Sequence, residues 1–262
     1  MKKSIYFFLL FSILHVLVTS GNFLQAQSDI VPLDRKLKGP DINTTSEIRP
    51  PENNSDAIII NVPGSYSTIQ AAINAANNGD IIQVAAGIYR EDLTLNKYLH
   101  LRGSNYNVNP NTGIRGPETI IQPFTSDPDP NTGGTILYIT PGGSGSDIDG
   151  FTFDGDNTII VSGVNMNGAD VDALEAISAY DGLSNTTVSN NIIKNLNYGG
   201  IDYYNYTNGG AATYDNVITN NKFDNIIPNV WGIAVLIYNN CYTSVTDNVM
   251  TRVRIGVQTG NF

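Results

Sequence analysis

The sequence predicts an all-β fold: a solenoid of short parallel strands (a β-solenoid) with one capping α-helix at its N-terminal end. Three observations predict it. Short apolar runs recur along the chain, nearly all punctuated by Gly or Asn, as strands joined by tight turns require. Three segments of the last third repeat: TTVSNNIIKNL (186–196), NVITNNKFDNI (216–226) and TSVTDNVMTRV (243–253) align on Asn191, Asn221 and Asn248, spaced 30 and 27 residues apart. Repeats of that length built from strands signal stacked coils. Only one segment, near residue 70, carries a sustained helical period.

The elements follow in chain order. Lys2 and Lys3 precede an apolar run from Ile5 to Val18 and a small residue at Ala26, the layout of a secretory signal peptide over residues 1–26. The run is shorter than the ~20 residues that span a bilayer, so no stable membrane span is expected after cleavage. Residues 27–56 hold Pro32, Pro40, Pro50 and Pro51 without an apolar period and read as a flexible linker. The β-helix domain is placed at 57–262. Ser67-Thr68-Ile69-Gln70 has the capping-box pattern, with Ser67 as N-cap, and Ile69, Ala72, Ile73 and Ala76 form one apolar stripe. Strands are expected at 81–84, 93–95, 98–101, 119–122 and 136–139. The stretch Asp170 to Ile177 could make one helical turn.

In the repeats, Val188, Val217 or Ile218, and Val245 form one inward column. Ile193, Phe223 and Met250 form a second, and Leu196, Ile226 and Val253 a third. The aligned asparagines suit tight bends, where Asn tolerates left-handed backbone and stacked amides bond to one another, an asparagine ladder. A second motif follows each repeat: Gly200-Ile201, Gly232-Ile233 and Gly256-Val257. The chain stops soon after the last of these without a closing helix or charged tail, which leads us to expect a C-terminally incomplete domain, because solenoids need terminal caps.

Composition narrows function. A net charge of −10, from 24 acidic and 14 basic side chains with no basic stripe, argues against nucleic-acid binding. It also disfavours a polyanionic partner unless calcium or local Arg and Lys offset it. Cys241 is the only cysteine, so an exported chain must be stabilised by packing rather than by internal disulfides.

Residues 67–105, STIQAAINAANNGDIIQVAAGIYREDLTLNKYLHLRGSN, resemble the opening module of the pectin lyase-like superfamily, and the resemblance extends over about residues 57–262. It implies a right-handed single-stranded parallel β-helix whose short helix covers the first coil. It does not imply one activity, because that superfamily includes lyases, esterases, hydrolases, tailspikes, adhesins and non-catalytic repeat proteins. Polygalacturonase-like chemistry uses an adjacent Asp pair, and this chain has none; the esterase phrases are not found either. Beyond the signal segment the sole histidine is His100, in an apolar strand, which suits a structural role. Lyase chemistry would need calcium on carboxylates and an Arg or Lys base. If Ile177, Ile201, Ile233 and Val257 point inward, Ser178, Asp202, Ala234 and Gln258 point outward, with Tyr180, Tyr204 and Asp181 on the same ribbon, while Arg252 and Arg254 sit at the edge of the last coil. These are the candidate substrate-binding residues, although a solvated polar face accounts for the same pattern. Asp147, Asp149, Asp154 and Asp156 suggest a calcium loop, against which ordinary Asp-Gly turn chemistry is the plainer account. Tyr198, Tyr203, Tyr204, Tyr206 and Tyr214, with Trp231, form an aromatic-rich stretch suited to sugar contact or to strands.

Two readings result. The first is a secreted or cell-surface β-helix, a non-catalytic or structural module that binds polysaccharide or a surface glycan, or contacts another surface. The second is a polysaccharide lyase or glycoside hydrolase for acidic plant- or algal-type glycans, with part of its site missing.

Overall fold

The computed structural model describes residues 57–129, 131–205, 212–227, 231–239 and 241–260. The segments read as a signal peptide and linker lie outside the described residues, as do Tyr206 and the last two residues.

The chain winds as a parallel β-helix. An initial strand β1 (Ile59–Val62) and helix α1 (Ile69–Ala75) precede the first coil, made of β2 (Ile81–Val84), β3 (Gly87–Arg90) and β4 (Leu93–Leu95). The next coil is β5 (His100–Arg102), β6 (Thr119–Gln122) and β7 (Thr135–Ile139). The third starts with β8 (Asp147–Asp149) and β9 (Thr152–Asp154), adds a hairpin of β10 (Asn165–Met166) and β11 (Ala169–Asp170), and closes with β12 (Glu175–Tyr180). Three regular coils follow: β13 (Thr187–Ser189), β14 (Ile192–Lys194) and β15 (Gly199–Tyr204); β16 (Thr213–Thr219), β17 (Lys222–Ile226) and β18 (Ile233–Tyr238); β19 (Cys241–Thr246), β20 (Val249–Val253) and β21 (Ile255–Gly260). Like strands of successive coils pair in parallel. The first sheet runs β1-β2-β5-β8-β13-β16-β19, the second β3-β6-β9-β14-β17-β20, and the third β4-β7-β12-β15-β18-β21.

Stacking in register is what makes each coil bury its apolar face. Val188, Ile218 and Val245 occupy one register in the first sheet, and Ile193, Phe223 and Met250 one in the second. Val188, Ile193, Ile218 and Phe223 are fully buried. Each such side chain contributes about 1.5–3 kcal/mol of burial.

The corner between the first two sheets explains the paired Asn. Asn190, Asn220 and Asp247 adopt positive φ of 57°, 56° and 54°, the left-handed geometry that Asn and Asp tolerate best. The residue after each turns inward. Asn191 donates through Nδ2 to Asn221 Oδ1 at 3.1 Å, and Asn221 Nδ2 to Asn248 Oδ1 at 3.1 Å. Each Nδ2 also reaches a carbonyl of the preceding coil, those of Ile148, Val188 and Ile218.

Several expectations shift in detail. The N-cap is Thr68, not Ser67; its hydroxyl accepts from Ala71 N–H. Gln70 does not reach back but bonds Asn74 and the Thr94 backbone. The carboxylate that serves the helix start comes from Glu91, which accepts from the N–H groups of Ile69 and Gln70 at 2.9 Å. No helical turn forms at 170–177, which instead holds the end of the β10–β11 hairpin and the start of β12. The third-sheet motif also registers differently: Ile177 and Ile201 align with Val235 and Val257, so Ala234, not Gly232, matches Gly200 and Gly256. Gly232 has a φ of 91° and makes a turn before β18. At the last coil, β19, β20 and β21 are the terminal strands of their sheets, and Val257 is 45% exposed.

Candidate functional site

The outer face of the third sheet gathers the chemistry. Pairing aligns Thr135, Glu175, Gly199 and Ile233 in one column, and Tyr138, Ser178, Asp202 and Leu236 in another. Tyr180, Tyr204 and Tyr238 form a third. Between Glu175 and Ile177 the matched positions from β12 onward are small, Ala176, Gly200, Ala234 and Gly256, whereas β7 has Ile136 there. A Cβ at Gly200 would overlap the Ala234 carbonyl oxygen, so the backbone there packs too closely for any side chain. Gly199 leaves a gap that the Asp202 carboxylate fills; a Cβ added there would collide with both of its oxygens.

The result is a buried acid pair. Glu175 is 4% exposed and Asp202 1%. Glu175 Oε2 accepts from Tyr180 Oη at 2.9 Å and from Thr135 Oγ1 at 3.1 Å, and Thr135 Oγ1 meets Ser178 Oγ at 3.0 Å. Neither Asp202 oxygen receives a hydrogen bond from a donor, although its carboxyl lies within hydrogen-bonding reach of Glu175. Burial pushes the Asp202 carboxyl well up, with the charge of Glu175 adding to it. Burial likewise raises Glu175, against the bonds it accepts. The Tyr180 hydroxyl is pushed up by burial and then by Glu175.

Tyrosines border the pair and the next corner. Tyr138 and Tyr180 lie 5.7 Å apart between ring centroids, and Tyr204 and Tyr238 stack at 5.5 Å and 11°. Across the corner marked by Asn205 and Asn239, whose amides bond each other's backbone carbonyls, Tyr214 and Tyr242 stack at 5.1 Å and 2°. Both are more than half exposed. Tyr198 and Trp231 meet at 6.1 Å before β15 and β18, and Tyr203 is buried.

The structure therefore brings together Tyr180, Tyr204 and Asp202, but with Asp202 under the surface rather than on an exposed ribbon. Asp181 sits in the turn after β12 with φ 65°, its N–H donating to the Tyr204 carbonyl at 2.8 Å. Arg252 is not at this face. It extends from the second sheet and pairs with Asp224, and exposed Arg254 lies between β20 and β21. The four aspartates read as a calcium loop are divided between two sheets. Asp147 accepts from His100 Nδ1 at 2.8 Å; Asp149 accepts from Asn107 N–H, Ser189 and Asn190. Asp154 pairs with Lys194 at 2.8 Å, and Asp156 stands beside it, its carboxyl pushed up by burial and then by Asp154. Among the described residues no three His, Cys, Asp or Glu side chains are grouped to hold a metal ion. Glu175 escaped the sequence reading; its signal was an acidic residue where the matched coil has Gly199.

A chain of this kind, three parallel sheets wound by short coils, is a parallel β-helix. It belongs to the family described as "Protein of unknown function (DUF1565)", whose profile matches residues 61–261. That placement and the parallel sheets agree with the resemblance to the pectin lyase-like superfamily. Similar solved structures include a pectin methylesterase mutant in complex with a hexasaccharide, at 13% identity and TM-score 0.41, covering 76% of this chain and 67% of that one. Another is pectin methylesterase with a different hexasaccharide, at 12% identity and TM-score 0.39, with the same coverage. No curated protein matches the sequence. No helix among the described residues is long and apolar enough to cross a membrane.

Proposed function

We propose that this chain is an exported β-helix that binds polysaccharide along its tyrosine-bordered corner and does not cleave it. The carrying observation is the two stacked tyrosine pairs, Tyr204–Tyr238 and Tyr214–Tyr242, which flank one corner on successive coils. Coils repeat at the strand spacing of about 4.8 Å, so the pairs line a ridge of ring edges and hydroxyls along the helix axis. Amphipathic rings of this kind suit the mixed apolar and hydroxylated surface of a sugar. Burial of the acid pair supports binding over hydrolysis, since a general acid must reach the scissile bond.

The six strands of the third sheet contain no Lys, Arg or His, and the whole chain carries a net charge of −10. This favours neutral over acidic glycans. The N-terminal Lys2-Lys3 and apolar run support export, and the contacts of α1 with β1, β2 and β4 support its role as the cover of the first coil. Titration calorimetry of the protein against neutral and acidic oligosaccharides tests the proposal. Replacing both Tyr214 and Tyr242 by Ala should weaken binding by about tenfold or more, equivalent to about 1.4 kcal/mol, with an unchanged melting temperature. Heat from no glycan, or cleavage of one, would retire it.

A further inference from the structure

The hydroxyl protons around the acid pair all run toward one carboxyl. Tyr180 donates to Glu175, and so does Thr135. Thr135 has a single proton, already committed, so in its contact with Ser178 the serine is the donor. Glu175 is thus surrounded as an ionised acceptor is. Asp202 receives nothing, yet it is 1% exposed and lies against that carboxylate. An ionised Asp202 there would be a second buried anion without a donor, a state that proteins avoid by binding a proton or a cation.

The charges on every element packed against the pair leave the proton as the neutralising species. β7 contributes Thr135 and Tyr138, β12 contributes Ser178 and Tyr180, β15 contributes Tyr204, and β18 contributes Leu236 and Tyr238. Asp181 follows β12 and adds only negative charge. No basic side chain belongs to any strand of this sheet.

We propose that Asp202 is a neutral carboxylic acid at neutral pH and shares its proton with ionised Glu175, making the pair a one-proton catch between β12 and β15. The proton moves between an Asp202 oxygen and a Glu175 oxygen; no other bond changes. Its loss at higher pH places two anions in contact. Asp202 is then driven out of the gap over Gly199, and the outer face loosens beside Tyr180 and Tyr204. Burial acts in the same direction, favouring the protonated form. This inference does not depend on glycan binding.

Infrared spectroscopy of the intact domain is the test. The wild type should show the C=O stretch of a protonated carboxyl at pH 7, absent from Asp202→Asn. That variant should keep the wild-type melting temperature near pH 4, because its amide can still donate to Glu175, and should lose the fall in melting temperature that the wild type shows as pH rises from there. In Glu175→Gln the side-chain amide donates to Asp202, so the protonated band should titrate away at lower pH than in the wild type. A missing band in the wild type, or one that persists in Asp202→Asn, overturns the proposal. So does an unchanged midpoint in Glu175→Gln. A rise in wild-type melting temperature with calcium or magnesium that Asp202→Asn abolishes would assign the pair to a cation instead.

Discussion

Two buried polar clusters in this molecule are built on opposite terms. At the corner of the first and second sheets, each inward Asn both donates and accepts: Asn221 receives from the Asn191 backbone and amide, and donates to Val188 O and Asn248 Oδ1. On the outer face of the third sheet, donors converge on Glu175 and the Asp202 oxygens stay bare. Both clusters are buried, so desolvation does not separate them. Completeness does: a satisfied network holds one geometry, whereas an incomplete one depends on a proton that solvent can add or remove.

The comparison can be broken by substitution, starting where the effect is greatest. Asn221→Ala strips a buried turn of four hydrogen bonds and should cost about 3–5 kcal/mol, given about 1–3 kcal/mol for each group left unsatisfied; urea denaturation would show it. A loss under about 1 kcal/mol would mean that the corner is held by its backbone alone. Gly199→Ala should destabilise by about 1–3 kcal/mol, because the new methyl displaces the Asp202 carboxylate. In an Asp202→Ala background that penalty should largely vanish, and a double-mutant cycle without coupling would remove the packing account.

Titration sharpens the contrast further. Asp202 and Glu175 both have folded values raised above the ordinary carboxylate range, by burial first. A raised acid contributes its stability below the unfolded value, about 4, and loses it as pH rises through the folded value. The wild type should therefore lose stability relative to Asp202→Asn as pH climbs, by up to about 1.4 kcal/mol per unit for one proton. Glu118, lowered by its bonds to Arg115 despite burial, works in the reverse sense and weakens the fold as pH falls. Only the difference between the two proteins isolates the pair, and parallel melting curves across pH would contradict it. The smallest effect belongs to exposed Arg252. Its pairing with Asp224 lies in solvent, and Arg252→Ala should leave the melting temperature unchanged within error.

The Asn corner was readable because its requirements are local. A left-handed residue followed by an inward Asn recurs at 190–191, 220–221 and 247–248, and residue type alone announces each. The acid pair was only half readable. Asp202 could be assigned to the outer face by alternation, but Glu175 sits before a small-residue position that breaks the simple period. The same break misled the alignment of Ile233, which pairs with Gly199, two positions from where Gly-Ile matching placed it.

By itself the sequence determined the solenoid, its inward columns and its corners, because strand period and turn chemistry are properties of a few neighbouring residues. Only the tertiary structure decided that Thr135, Glu175 and Asp202 meet, that Arg252 faces elsewhere, and that Asp147 and Asp154 project from different sheets. Those outcomes depend on how many residues each coil spends between strands, and insertions such as the β10–β11 hairpin alter that number without altering the register of the stacked strands.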